Sequence, residues 1–265
     1  MDMVSASGDG LPGEVSFLGQ RLASLDVAEA AAAIAARPPD RPFAYVVTPN
    51  AQHFVRLGRM RDSQFQAAYD AAWLRLSDSR VVGILARLVC GLALKQAAGS
   101  DLTAYMLEHT IRPDDAVTVI GGSEELRRRL VERFGLHRLA LHQPPMGLAG
   151  KPDELERCVA FVVEHPARYV FLAVGTPTSE NLCHRIACDG RAVGVGLNIG
   201  SSLLFATGMV DRAPPIYRRL GLEWLHRLML NPRGHARRVF VESLPVVGMI
   251  LRERFGRGQD GGGRR

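Results

Sequence analysis

The feature that most constrains this chain is an alternation of short β-rich runs with longer helical stretches. The runs fall at Phe43–Thr48, Leu74–Ser77, Ala116–Ile120, Tyr169–Val174 and Val193–Leu197. The helical stretches are Val27–Ala36, Ala51–Ala68, Val81–Leu92, Leu102–Ile111, Glu124–Phe134 and Glu154–Glu164. Parallel strands need a crossover long enough to hold a helix, so this order predicts a parallel sheet with helices on both faces. The runs are continuously apolar, as strands covered on both sides must be. The expected fold is α/β, a Rossmann-like core followed by an Arg-rich helical C-terminal appendage. The expected division is a core over 11–210, an appendage over 211–257, and disordered ends at 1–10 and 258–265, which are rich in Gly with Ser and Asp or Arg.

The bulk numbers fit a folded globular chain. It has 265 residues, 47% hydrophobic and 23% charged. No run of about 18 apolar residues is present, so a membrane-spanning helix is not expected. The start, Met1-Asp2-Met3, lacks the basic and apolar segments of a signal peptide. Cys90, Cys158, Cys183 and Cys188 form no CxxC pair and read as idle thiols of a reducing cytoplasm. Charge is uneven. From Arg212 onward there are 12 Arg, no Lys and 4 acidic residues, a net +8 against +6 for the whole chain, which leaves −2 for the rest. A near-neutral body with a basic tail suits an anionic membrane surface, a diphosphate ligand or nucleic acid.

In a parallel sheet ligands bind at the carboxyl edge, where strands end in loops. Five such loops carry small or polar residues: Thr48-Pro49-Asn50, Ser77-Asp78-Ser79, Gly121-Gly122-Ser123, Gly175-Thr176-Pro177 and Asn198-Ile199-Gly200. Gly121-Gly122, between a strand and a helix, lets a phosphate approach backbone N–H groups, but a plain turn explains the pair equally well. Neither GxGxxG nor a Walker loop is present, which argues against a dehydrogenase. Asp78 follows an apolar strand. Such an Asp usually caps the next helix; the functional alternative is a general base facing the cleft. Asn50 has the same two readings, as a cap for the helix at Ala51 or as a partner, with Thr48, for sugar hydroxyls. No DxD pair is present, and Asp114-Asp115 after Pro113 reads as a turn. No metal or other cofactor is expected; arginines, whose planar guanidinium suits phosphate, would neutralise a diphosphate. His53 and His184 read as surface or boundary residues on helices.

The tail alternates arginines with apolar positions, from Arg212 through Arg237-Arg238 to Leu251, with a break expected at Pro245. A basic, apolar-striped helix either lies on an anionic membrane or packs on its own domain with a solvated Arg face. Nucleic acid is not expected, since no RNA-binding aromatic signature or helix-turn-helix is present.

Residues Asp211–Leu228 resemble the RAP…LGLEWLYRL signature of the WecG/TagA/CpsF glycosyltransferases (glycosyltransferase family 26). Other blocks agree in order. Thr48-Pro49-Asn50 is similar to the family's T-x-N, and Leu76-Ser77-Asp78-Ser79 to its L-P-D-G. Ala98–Leu102 resembles V-x-G-x-D-L, Gly121-Gly122 the family's diglycine, Gly175–Glu180 its G-x-P-x-Q-E, and Asn198–Gly208 its G-V-G-x-x-x-D-F-x-A-G. The likeness spans roughly Phe43 to Glu253. It implies an inverting, metal-independent transfer from a UDP-sugar to a polyprenyl-diphosphate-linked sugar, for cell-surface or exopolysaccharide synthesis. The enzyme would be cytoplasmic and peripheral on the inner membrane face, as a monomer or a homo-oligomer. By position, Asp78 would be the base and Thr48 and Asn50 would contact sugars. Gly121, Gly122 and the loop bearing Gly175, Pro177, Ser179 and Glu180 would approach the nucleotide. Arg212, Arg227 and Arg233 would close over the diphosphate.

Three departures stand out: Ser179 for the family's Gln, Ser79 for its Gly and Leu204 for its Asp. They motivate an alternative, a non-catalytic membrane-associated assembly protein that retains the fold. Arg80, next to Asp78, is expected to hold that carboxylate ionised.

Overall fold

The computed structural model describes residues 13–59, 62–214, 216–217, 223–230 and 232–256, without the side chains at 224, 226, 227, 230, 233–235, 238 and 256. The two ends expected to be disordered, and the side chains of Arg227 and Arg233, lie outside the described residues.

A six-stranded parallel sheet forms the centre. Its strands are β3 (Ala44–Val47), β4 (Leu74–Arg75), β5 (Val117–Ile120), β6 (Leu139–His142), β7 (Tyr169–Leu172) and β8 (Val195–Asn198), in the order β4-β3-β8-β7-β5-β6. Successive residues feed opposite cores. Val46, Val119, Phe171 and Leu197 join one cluster with α1 (Val27–Ala36), α5 (Gly99–Tyr105) and α6 (Glu124–Phe134). Tyr45, Val47, Val170 and Leu172 join the other with α3 (Ser63–Asp70), α7 (Pro152–Glu164) and α8 (Thr178–Asp189). Burial on both faces is why these strands read as unbroken apolar runs.

The expected helix over Ala51–Ala68 is two. Helix α2 (Ala51–Gly58) ends at Arg59, and Asp62 starts α3 by accepting from the Phe65 N–H at 3.0 Å while its other oxygen holds Arg56 at 2.7 Å. An aspartate at that position makes a better cap than an interior helical residue. Buried Arg75 closes the other end of α3, donating to the carbonyls of Tyr69 and Asp70, both at 2.7 Å.

An antiparallel hairpin, β1 (Glu14–Phe17) and β2 (Gln20–Ala23), precedes the sheet. Its turn places Leu18 and Gly19 both at positive φ, 49° and 75°. The backbone fits a two-residue hairpin loop, but a leucine at the first turn position hides that signal. Strand β6, half-buried at the sheet edge, was missed for want of a continuous apolar run.

Helix α4 (Arg80–Cys90) leads from β4 across the carboxyl edge, and α9 (Ser202–Ala206) follows β8. The appendage contains α10 (Glu223–Leu230), α11 (Pro232–Arg237), a π turn over Arg238–Ser243 and α12 (Pro245–Gly256). Pro245 opens α12, where the tail was expected to break. Helix α12 is integral to a third core: Val246 and Ile250 pack with Phe17, Leu22, Phe54, Val55, Val82 and Ala86. The helix packs on its own domain through one face and leaves Leu251 and Phe255 exposed on the other.

Gly194 enters β8 at φ +87°, and a Cβ there would lie 2.0 Å from the Ala167 carbonyl oxygen. Gly194→Ala is expected to cost at least about 1–3 kcal/mol from backbone strain alone, measured as a drop in denaturation midpoint.

Candidate active site

The sheet order sets the ends of β4, β3, β8 and β7 side by side. A cavity of about 400 Å³ opens over them, within the range of small-molecule sites. The loops after these strands supply Asp78, Thr48, Asn50 and Thr176 to its wall, the end of β8 supplies Asn198, and the first turn of α8 supplies Ser179 and Glu180. The Asp78 N–H donates to the Pro49 carbonyl at 3.1 Å, which ties two of these loops together.

Asp78 does not cap α4. Ser79 does, its hydroxyl accepting from the Val82 N–H at 3.3 Å. That gives Ser79, a departure from the family pattern, a local purpose and frees the Asp78 carboxyl for the cavity. Asp78 Oδ1 accepts from the Gly99 N–H at 2.8 Å, and the Asn50 side chain also hydrogen-bonds the carboxylate. Burial pushes the carboxyl up to about 7, against those two hydrogen bonds, and Glu223 and Asp101 push it further the same way. The expectation that Arg80 holds it ionised fails because desolvation dominates. Gly99 packs closely on Thr48, and a Cβ there would meet Thr48 Oγ1 at 3.0 Å.

Asn50 is the expected cap of α2. Its Oδ1 accepts from the N–H groups of Gln52 at 3.0 Å and His53 at 3.4 Å, capping α2, which leaves its amide for Asp78. His53, expected on a helix as a surface or boundary residue, lies on α2 but is 7% exposed. Its Nδ1 accepts from the Asn50 N–H at 3.3 Å, which places the ring proton on Nε2, 3.0 Å from Thr176 Oγ1. Thr176 in turn donates to Glu180 Oε1 at 2.9 Å. Glu180 is 2% exposed, and burial raises its carboxyl above the usual range. Periodicity could not find this chain, because its members sit on α2 and at the start of α8, 123 residues apart.

Ser179 borders the cavity, but its hydroxyl reaches back to the Leu172 carbonyl at 3.4 Å. Gly121, Gly122, Gly175, Pro177 and Arg212 lie outside the cavity wall. Gly121, at φ +102°, is required by the Ala173 carbonyl oxygen, which a Cβ would meet at 2.8 Å. Gly122, at φ +90°, lies against Leu126. Arg212 bridges the appendage to α5: it contacts Asp101 at 2.8 Å, donates to Ser100 Oγ at 2.7 Å and lies 3.4 Å from Glu223. Asp101 and Glu223 both border the cavity. Asp115 accepts from the Arg112 N–H at 2.9 Å, the turn expected at Asp114-Asp115. Leu204 packs against the core rather than facing the cavity.

The outer wall is apolar. Val81, Val82 and Leu85 of α4 face Leu244 and, on α12, Val246 and Val247. Neighbouring positions Ile84 and Leu88 of α4 stand 53% and 77% exposed. The apolar surface expected on the tail is thus shared with α4.

The sequence model of the Glycosyl transferase WecG/TagA/CpsF family matches residues 15–260. The chain belongs to that family. It is similar to the N-acetylglucosaminyldiphosphoundecaprenol N-acetyl-beta-D-mannosaminyltransferase of Bacillus spizizenii, with 26% identity over 216 residues, 80% of each chain. As a WecG/TagA/CpsF member it is a glycosyltransferase. Among the described residues no helix is long and apolar enough to cross a membrane.

Proposed function

We propose that this glycosyltransferase moves a sugar from a UDP-sugar to a polyprenyl-diphosphate-linked N-acetylglucosamine, with inversion and without a metal. The observation that carries the reading is Asp78, a cavity carboxyl whose pKa of about 7 suits a base at neutral pH. Asp78 takes the proton of the acceptor hydroxyl as its oxygen attacks the anomeric carbon. The bond from that carbon to the phosphate oxygen breaks, and UDP leaves with the electron pair. A single displacement inverts the anomeric centre. Gly121, Gly122 and the Gly175–Glu180 loop serve the nucleotide side; Thr48 and Asn50 serve the sugars. Arg212, Arg227 and Arg233 neutralise diphosphate, and for Arg212 the phosphate competes with Asp101 and Glu223. The relative from Bacillus spizizenii supports the acceptor, whose chemistry its name states.

The enzyme works at the inner face of the cytoplasmic membrane. Exposed Ile84, Leu88, Phe240, Leu244, Leu251 and Phe255, with exposed Arg87, Arg237, Arg252 and Arg254, supply the apolar and cationic contacts an anionic bilayer attracts. The same surface adjoins the apolar wall of the cavity, so a polyprenyl chain runs from lipid to Asp78 without crossing water.

The test is incubation of the protein with vesicles bearing undecaprenyl-diphosphate-N-acetylglucosamine and a panel of UDP-sugars, including UDP-N-acetylmannosamine. A lipid-linked disaccharide and free UDP are expected, with EDTA present. Vesicle binding with no UDP release from any donor would favour the non-catalytic assembly protein. The acid limb of the kcat profile is expected to bend near pH 7, because Asp78 must be ionised to accept a proton and is protonated below its pKa. A flat profile from pH 5.5 to 8 would remove Asp78 as the base.

A further inference from the structure

A capping box is ordinarily closed by a glutamate or glutamine three residues into the helix, whose side chain accepts from the cap N–H. At the start of α2 that place is taken by His53. A histidine closes the box with one ring nitrogen and keeps a second, on the same rigid ring, for another partner. Nδ1 accepts from the Asn50 N–H at 3.3 Å, and Nε2 lies 3.0 Å from Thr176 Oγ1 in the loop after β7. The Thr176 hydroxyl is spent on Glu180 Oε1 at 2.9 Å, so its lone pairs are left to accept the Nε2 proton. The ring sits beside Phe65 and Tyr69 of α3, at centroid distances of 6.0 and 6.2 Å. Those two rings set its plane, and its two bonds set its tautomer.

The imidazole joins the two sides of the cavity. Asn50 hydrogen-bonds the Asp78 carboxylate, while Thr176 and Glu180 belong to the loop that serves the nucleotide in the proposed transfer. Strand β8 stands between β3 and β7, so the two loops start two strand spacings, about 10 Å, apart. We infer that His53 is a positioning residue, a bridge that fixes the separation between the base and the donor loop. This rests on the proposed transfer and concerns how its two halves are aligned. Displacement requires the acceptor oxygen roughly 3–3.5 Å from the anomeric carbon and in line with the departing phosphate. Those atoms are held from opposite loops, and a ring bonded at both ends sets their spacing before either substrate arrives. His53 acts through Asn50 and Thr176 and takes no proton from the substrate.

The test is steady-state transfer by the full chain, with the vesicles above and the UDP-sugar of the panel that the wild type turns over fastest. His53→Leu fills the space beside Phe65 and Tyr69 and removes both ring nitrogens. It is expected to lower kcat about tenfold or more while the donor KM stays within about threefold. His53→Gln is expected to recover most of that loss, because its amide carries an acceptor and a donor on one carbon, as the ring carries Nδ1 and Nε2 on Cε1. Thr176→Val breaks the same bridge from the other end, whereas Thr176→Ser keeps it, a comparison that stands even if His53→Leu does not fold. His53→Leu combined with Thr176→Val is expected to cost no more than the worse of the two alone, where independent sites would multiply. Multiplying losses, wild-type kcat in His53→Leu, or a loss that His53→Gln does not relieve would overturn the bridge and leave the transferase reading intact. A wild-type protein that releases UDP from no donor would overturn both.

Discussion

Asp78→Asn is expected to lower kcat by about 10²–10⁴-fold, the usual worth of a positioned base, and to raise the melting temperature. The two effects share one cause. The folded-state pKa, about 7, lies above the ordinary 3.8, so between those values the folded protein holds a proton that the unfolded chain releases. Stability therefore falls as pH rises from about 4 through 7, and above 7 the protein carries a desolvated charge. Asparagine has no proton to lose and still offers a carbonyl to the Gly99 N–H, so its advantage is fullest above pH 7. Each kcal/mol relieved raises the melting temperature by about 2–4 °C in a chain of this size. Steady-state kinetics and thermal denaturation at pH 8 decide it. A variant both inactive and less stable would mean that Asp78 holds the loops together and is not a base kept at a cost to the fold.

Leu88→Asp combined with Phe255→Asp is expected to release the protein from anionic vesicles while sparing turnover of a short, water-soluble acceptor. These side chains are 77% and 73% exposed, on two helices that pack together, and neither borders the cavity. Withdrawing one large apolar side chain from lipid costs about 1.5–3 kcal/mol, roughly 10–100-fold in partition for each. Co-sedimentation with phosphatidylglycerol vesicles reads the effect. Unchanged sedimentation would move the membrane contact to the arginines alone, and the two single substitutions, measured separately, would name the helix that inserts.

How much of this was legible in the sequence follows from where each signal is stored. The five strands first identified were readable because burial on both faces writes an unbroken apolar run, and helices α1 and α6 matched their expected bounds. The β1–β2 hairpin and β6 lack such runs, the first because its turn carries Leu18 and the second because it is an edge. In the site, Asp78, Asn50 and Thr48 are legible from their loops, Ser179 and Glu180 only from the family resemblance, and all five line one cavity. Their neighbours were not readable. In the sequence Gly99 is only part of a motif, His53 reads as a surface or boundary residue, and Asn198 reads as a loop residue. What makes these three matter is a partner on another element: Gly99 with Asp78, His53 with Thr176, Asn198 with Val46. Such pairings exist only once the sheet order is set. Arg212 stands out in the sequence as a candidate phosphate partner, but its contacts with Asp101 and Glu223 depend on how the appendage folds back.

The inward face of α12 has a consequence for how the protein can be divided. Val246 and Ile250 complete the packing of the hairpin, α2 and α4, while Val246 and Val247 form part of the cavity wall. The basic tail is therefore not a removable anchor attached to a self-sufficient catalytic body. Cutting the chain ahead of Pro245 would strip the cover from Phe54, Val82 and Ala86 and open one side of the substrate chamber. The proposed lipid-facing residues Leu251 and Phe255 and part of the cavity wall belong to a single helix, and neither can be trimmed away without the other.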